Sequence, residues 1–138
     1  EWEQLFSTAV DGVSVSTFFR KTGWRSPTLL LVKDDKRAVF GAYCSAPWYP
    51  LENHFSYFGT GECFVFKWNE EKQELGVFRW SRANDHFQLA RKGQGISVGA
   101  GGADALRLDG DFLHGSSGPC ETFRSPTLSS AQVPCPSG

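Results

Sequence analysis

A chain of 138 residues is one domain's worth, long enough to bury roughly two thirds of its unfolded surface and to need no staples. Its 14 Lys and Arg against 15 Asp and Glu leave a net charge of −1, which supplies neither a basic footprint for nucleic acid nor a polybasic anchor for membrane insertion or lipid binding. The 40% hydrophobic content, with 12 Phe and 5 Trp, excludes a disordered chain and tilts the balance toward strands. The expected fold is mostly β, an α+β domain, and the expected partners are proteins.

In chain order, Trp2, Leu5, Phe6 and Ala9 fall on one side at helical spacing, predicting the back half of a helix before "DGVSVSTFF" breaks the period. Ser14 and Ser16 flank the start of a second short helix, closed by Lys21 and Gly23. "TLLLV" (Thr28 to Val32), the polar turn "KDDKR" and "AVFGAYCSA" predict a β-hairpin. Pro47 and Pro50 punctuate a loop in which Trp48 and Tyr49 are candidates for exposure.

The stretch "YFGTGECFVFKW" follows, a glycine entry into an aromatic strand. Alternation puts Phe64, Phe66 and Trp68 on one side and Cys63, Val65 and Lys67 on the other, as expected for a strand central to its sheet and covered on both faces. "ELGVFRW" and "DHFQLAR" continue the meander. Gly95–Val98 and Ala105–Leu108 make another strand pair, joined by a glycine turn that needs positive φ, and Asp109-Gly110 is a turn with Asp111 as a cap.

The motifs that carry chemistry fail on their spacing. "VGAGGAD" continues Ala-Asp where a phosphate loop needs Gly-Lys-Ser/Thr. "LDGDFLHG" places Leu113 and Cys120 where a calcium loop needs oxygen ligands. "HGSSGP" has Pro119 where a nucleophile elbow needs glycine. No Cys-x-x-Cys or His-x-x-x-His pair occurs, so neither a metal nor a cofactor is expected, and Cys44, Cys63, Cys120 and Cys135 are expected as reduced thiols. Glu62 and Glu121 with Cys63 or Cys120 could form an acid/base or thiol site. The competing expectation, which carries more weight, is that both carboxylates accept hydrogen bonds from nearby backbone N–H groups. With no apolar run of signal-peptide or membrane-span length and Glu1 in first place, the sequence is expected to be a piece of a longer protein.

Four blocks, "LFSTAVDGVSVSTFFRK", "PTLLLVKDDKRAVFGAYCSAPW", "YFGTGECFVF" and "GGADALRLDGDFLHGSSGPCETFRSPTLS", resemble the TLDc domain of the oxidation-resistance proteins. The resemblance implies one domain over residues 1–138, a two-sheet antiparallel β-sandwich flanked by short helices, lacking the family's first helix and its final strand. It implies that Phe64 and Phe66 fill the space between the sheets. It further implies a non-catalytic, intracellular, cytosolic adaptor that binds and regulates the vacuolar proton-pumping ATPase, is recruited through that partner to vesicle or vacuole/lysosome membranes, and contributes to protection from oxidative stress. Glu62, Gly99, Gly101, Gly102, Ser116, Ser117 and Glu121 are then expected to form one rim at an end of the sandwich, where binding loops are usually mounted.

Overall fold

Short polar caps decide where the N-terminal elements begin. In the computed structural model, which describes residues 2–48, 56–91 and 94–129, the Ser7 hydroxyl accepts the N–H of Ala9 and starts a single-turn helix α1 (Thr8–Asp11). Gly12, at φ 87°, ends it. The expected helix through Trp2 and Phe6 is therefore not formed: helical φ/ψ begin only after the Ser7 cap, and the segment before it is irregular. Ser14 caps α2 (Val15–Thr22), whose Val15, Phe18, Phe19 and Thr22 are buried, as the serine and lysine-glycine signals indicated.

Eight strands follow, β1 (Thr28–Lys33), β2 (Val39–Cys44), β3 (Phe64–Asn69), β4 (Glu74–Arg79), β5 (Gln88–Arg91), β6 (Gly95–Val98), β7 (Leu106–Asp109) and β8 (Gly115–Ser116). Asp34 fixes the first hairpin, its Oδ1 accepting the N–H groups of Lys36 and Ala38 at 2.9 Å each, so β1 and β2 pair from Thr28 opposite Cys44 to Lys33 opposite Val39. The strands form two antiparallel four-stranded sheets ordered β1-β2-β3-β4 and β5-β6-β7-β8. The meander therefore changes sheet between β4 and β5, where the sequence suggested one continuous run.

One core joins the two sheets. Phe40, Ala42, Cys44 and Val65 from the first meet Ala90, Ile96, Val98 and Leu106 from the second, with Phe18 of α2, Trp48, Phe87 and Phe123 adding rings. This is a β-sandwich with short helices at its flank. As expected, β3 is a central strand, between β2 and β4.

Its two faces are the reverse of the expectation for Phe64 and Phe66. Val65, fully buried, points into the core between the sheets, while Phe64, half-buried, and Phe66, buried, lie on the other face of the first sheet. Phe64 stacks on Tyr43 (ring centroids 5.1 Å, interplanar angle 3°) beneath the Arg79 guanidinium. Phe66 covers Gly41, where a Cβ would stand 2.7 Å from its ring. Small inward residues at Ala42, Cys44 and Val65 leave room beside Phe40 for rings brought in from the loops and α2. Leu29, Leu31, Leu75 and Val77 share the outer face with the two phenylalanines and are exposed.

The same substitution on the two faces tests this assignment. Val65→Ala should cost about 2 kcal/mol or more through lost burial and a residual cavity, whereas Val77→Ala should cost less than about 1 kcal/mol. Equal shifts in chemical denaturation would place β3 the other way round.

Candidate functional site

The glycine entry to β3 is built around a buried glutamine. Before the turn, Phe58 and Gln88 exchange backbone hydrogen bonds of 2.8 and 2.9 Å, which brings the chain entering β3 onto the start of β5 in the opposite sheet. Gln88 is fully buried and aims its carboxamide at the loop after β2. Its Nε2 donates to the Ala46 carbonyl at 3.0 Å, and its Oε1 accepts the Ala46 N–H at 3.1 Å and the Cys63 thiol at 3.7 Å. A Cβ at Gly59 would lie 2.9 Å from that Oε1, and Gly59 sits at φ 103°, so this position requires glycine on both counts. Ser45 completes the knot: its hydroxyl accepts from Thr60 N at 2.9 Å and from Thr60 Oγ1 at 3.1 Å, and its N–H donates to Cys63 Sγ at 3.4 Å.

A second knot ties the β4–β5 loop, the glycine turn between β6 and β7, and the segment after β8. Thr122 is fully buried; its Oγ1 accepts the Ala100 N–H at 3.0 Å and donates to Asn84 Oδ1 at 2.6 Å. Asn84 in turn accepts the His86 N–H at its side chain and the Trp80 indole N–H at its carbonyl. Ser81 reaches the same segment, donating its N–H to the Thr122 carbonyl at 2.8 Å and its hydroxyl to the Glu121 carbonyl at 2.6 Å. Cys120 and Ser125 close a hairpin that points Thr122 and Phe123 inward and leaves Glu121 and Arg124 exposed.

The predicted rim is partly one surface. Glu121 donates its N–H to the Gly101 carbonyl, and a Cβ at Gly101 (φ 95°) would stand 2.7 Å from the Glu121 Cβ. Gly99 packs on Cys120 and Phe123, and Gly102 pairs with Cys120. Glu62 joins through neighbours: the indole of Trp80 lies over Gly61, and Ser81 follows it to Glu121. Ser117 is buried, its hydroxyl donating to the Ala105 carbonyl and accepting the Leu128 N–H, so it braces the rim from inside. Ser116 belongs to the β8 edge, opposite Arg107.

Two expectations, for the Glu62 carboxylate and for Trp48, are corrected. The Glu62 carboxylate is exposed and accepts no backbone hydrogen bond among the described residues; it is the Thr60 hydroxyl that accepts the Glu62 N–H. Trp48 is 1% exposed, wedged between Phe18 and Phe58, so it is core; Tyr49 lies outside the described residues. Among the described residues neither thiol is hydrogen-bonded to Glu62 or Glu121: Cys63 bonds to Ser45 and Gln88, and Cys120 donates to the Ala100 carbonyl at 3.3 Å. Cys44 is buried too, which pushes its thiol well above the ordinary range, with Cys63 nearby adding to the shift. Cys135 lies outside the described residues.

Beside the rim, burial raises the Asp104 carboxyl above its usual range, opposed by Arg107 and Arg91, and raises the Tyr57 hydroxyl. Among the described residues no group of three His, Cys, Asp or Glu side chains is placed to hold a metal, and no helix is long and apolar enough to cross a membrane. Sequence reasoning missed Gln88, Asn84, Thr122 and Trp80. The available signal was Gln88, a polar residue at an inward position of the apolar run "DHFQLAR".

With this architecture in place, the comparison with known proteins is decisive. The profile of the TLDc domain matches residues 1–135. The chain belongs to the TLDc domain family. It is 39% identical to human oxidation resistance protein 1 over 129 residues, covering 93% of this chain and 14% of that protein. Human nuclear receptor coactivator 7 is 36% identical over 129 residues, covering 93% of this chain and 13% of that protein, and bovine oxidation resistance protein 1 is 36% identical over 135 residues. The TLDc chain thus spans about one seventh of the length of these relatives.

Cys44, Cys63 and Cys120 are all buried in this TLDc domain, which should shield them from reagents. In folded Cys135→Ser protein, Cys44, Cys63 and Cys120 should react with iodoacetamide slower than in the unfolded chain by roughly two orders of magnitude, with opening of the structure limiting the rate. Mass spectrometry of the labelled peptides checks this, and a single thiol reacting as fast as free cysteine would favour a redox role.

Proposed function

We propose that this TLDc domain is a non-catalytic protein-interaction module that binds and regulates the vacuolar proton-pumping ATPase and so contributes to protection from oxidative stress. The observation that carries the binding surface is the rim. Loops from both sheets are tied by buried polar side chains, and Glu62, Glu121, Arg82 and Arg124 stand exposed on them. A surface held in one conformation loses little freedom on docking, which is the main way a small patch gains affinity. Exposed charges of both signs suit electrostatic steering and register with a protein partner. The resemblance to the TLDc family supplies the ATPase as partner, and the name of its oxidation-resistance relatives supports the stress-related role.

Engagement of the Cys63 thiol by Gln88 and of the Cys120 thiol by the Ala100 carbonyl supports a binding role over an acid/base or thiol-redox one. Recruitment from cytosol to vesicle or vacuole/lysosome membranes follows from the partner in this account.

The test uses immobilised chain and detergent-solubilised vacuolar membranes, with immunodetection of the ATPase subunits. The charge reversals Glu62→Lys and Glu121→Lys alter exposed side chains and should leave the thermal transition in place while together weakening capture by about tenfold, the effect of about 1.4 kcal/mol. Undiminished capture by the folded double variant would remove the rim from the interface, and absence of ATPase from wild-type captures would remove the partner.

A further inference from the structure

Cys44 and Cys63 stand opposite each other where β2 meets the entry to β3. The ladder between these strands pairs Phe40 with Lys67, Gly41 with Phe66, Ala42 with Val65 and Tyr43 with Phe64, and its next step sets Cys44 against Cys63. Both side chains belong to the core with Phe40, Ala42 and Val65, Cys44 at 0% and Cys63 at 1% exposure. The Cys63 N–H donates to the Thr60 carbonyl and the Glu62 N–H to the Thr60 hydroxyl. The two cysteines therefore do not exchange backbone hydrogen bonds, and they occupy a non-hydrogen-bonded position of the ladder. Such a position holds its Cα atoms about 4.5 Å apart, inside the range of about 4.4–6.8 Å that a disulfide spans. The Ser45 N–H, on the peptide unit that leaves Cys44, donates to the Cys63 sulfur at 3.4 Å, which sets that sulfur against Cys44. A core cysteine needs no partner, but two inward ones at opposed positions of neighbouring strands are placed to be joined.

We propose that Cys44 and Cys63 form an oxidation site, at which a peroxide converts the two thiols into a reversible disulfide that ties β2 to the entry of β3. A backbone donor, the Ser45 N–H, already points at the Cys63 sulfur, whereas burial holds the Cys44 thiol protonated, so Cys63 reacts first. Its sulfur attacks hydrogen peroxide, the S–O bond forms as the O–O bond breaks, and the released hydroxide takes the thiol proton, leaving a sulfenic acid and one water. The Cys44 sulfur then attacks the Cys63 sulfur. The S–S bond forms, the S–O bond breaks, and the departing hydroxide takes the Cys44 proton as the second water. Two thiols together lose two electrons, and one peroxide is reduced to two waters. Burial slows the first step, which needs an opening that admits peroxide to the core. The second joins neighbours that are already aligned, so the sulfenic acid does not accumulate. The disulfide closes the loop that carries Trp48 and Gly59, and it removes the S–H that Gln88 Oε1 accepts while leaving that oxygen the Ala46 N–H. Neither sulfur is exposed to act on another molecule, so the site is an internal cross-link and does not depend on the rim or on the ATPase.

The test exposes the full folded chain to hydrogen peroxide, blocks the remaining thiols after unfolding, and maps the disulfides by mass spectrometry. Cleavage after Glu52 and Glu62 separates the two cysteines into different peptides. The Cys44–Cys63 link should form roughly tenfold faster than any other pairing, and dithiothreitol should reverse it. The same chain unfolded in urea should lose that preference and give mixed pairings that include Cys120 and Cys135. In Cys44→Ala protein, Cys63 should stay a sulfenic acid that dimedone traps, an adduct the unsubstituted chain should not accumulate. The map of the unsubstituted chain stands whether or not the variant folds. Pairing through Cys120 or Cys135 in the folded chain, sulfinic acid at Cys63 beside a reduced Cys44, or no oxidation of either thiol would overturn the proposal. Equal dimedone labelling with and without Cys44 would do the same.

Discussion

The carboxamide of Gln88 is the constraint on which the rest of this TLDc domain turns. It belongs to the second sheet by its backbone and to the first by its side chain, bonding to both backbone groups of Ala46 and to the thiol that opens β3. A buried amide of this kind costs little while every group is matched, and each group left unmatched costs about 1–3 kcal/mol. Alternative packings of the two sheets would break several of these bonds at once. Apolar contacts between Val65, Val98 and Leu106 hold the sheets together without fixing their register, whereas directional bonds to Gln88 fix it.

That constraint explains the composition of the adjoining loop. Gly59 must lack a side chain because the Gln88 oxygen occupies its place, and the Trp80 indole takes the corresponding space over Gly61. Trp80 then hands its N–H to the Asn84 carbonyl, and Asn84 receives the hydroxyl of Thr122. The charged residues of the rim therefore rest on two sets of hydrogen bonds, one centred on Gln88 and one on Thr122, with Trp80 packed over Gly61 between them, and these contacts order the candidate binding surface.

Much of the fold was legible in the sequence because its signals were local. The Asp34 turn, the Ser14 cap and the glycine turn after β6 each act within a few residues, so the strand and helix spans they bound followed from the chain. The faces of β3 were not legible. Both of its sides are apolar, so alternation carries no sign, and the resemblance put Phe64 and Phe66 toward the interior that Val65 in fact faces. Trp48 misled for a related reason, since flanking prolines mark a loop but do not say whether its aromatic ring turns back toward Phe18. In the rim, Gly101 and Glu121 could be placed together through the resemblance, while the Thr122–Asn84 bond spans 38 positions and has no local signature.

The central claim is that buried polar side chains, Gln88 foremost, make the rim a single preorganised surface. It is tested most directly by native-state hydrogen exchange at the Ala46 and Ala100 amides and the Gln88 side-chain amide. The account predicts that all three exchange only through global unfolding, with the same apparent free energy as the core amides of Val65 and Val98 and the same dependence on denaturant. Exchange at Ala46 or Ala100 through local opening, fast and independent of denaturant while the core stays protected, would contradict it.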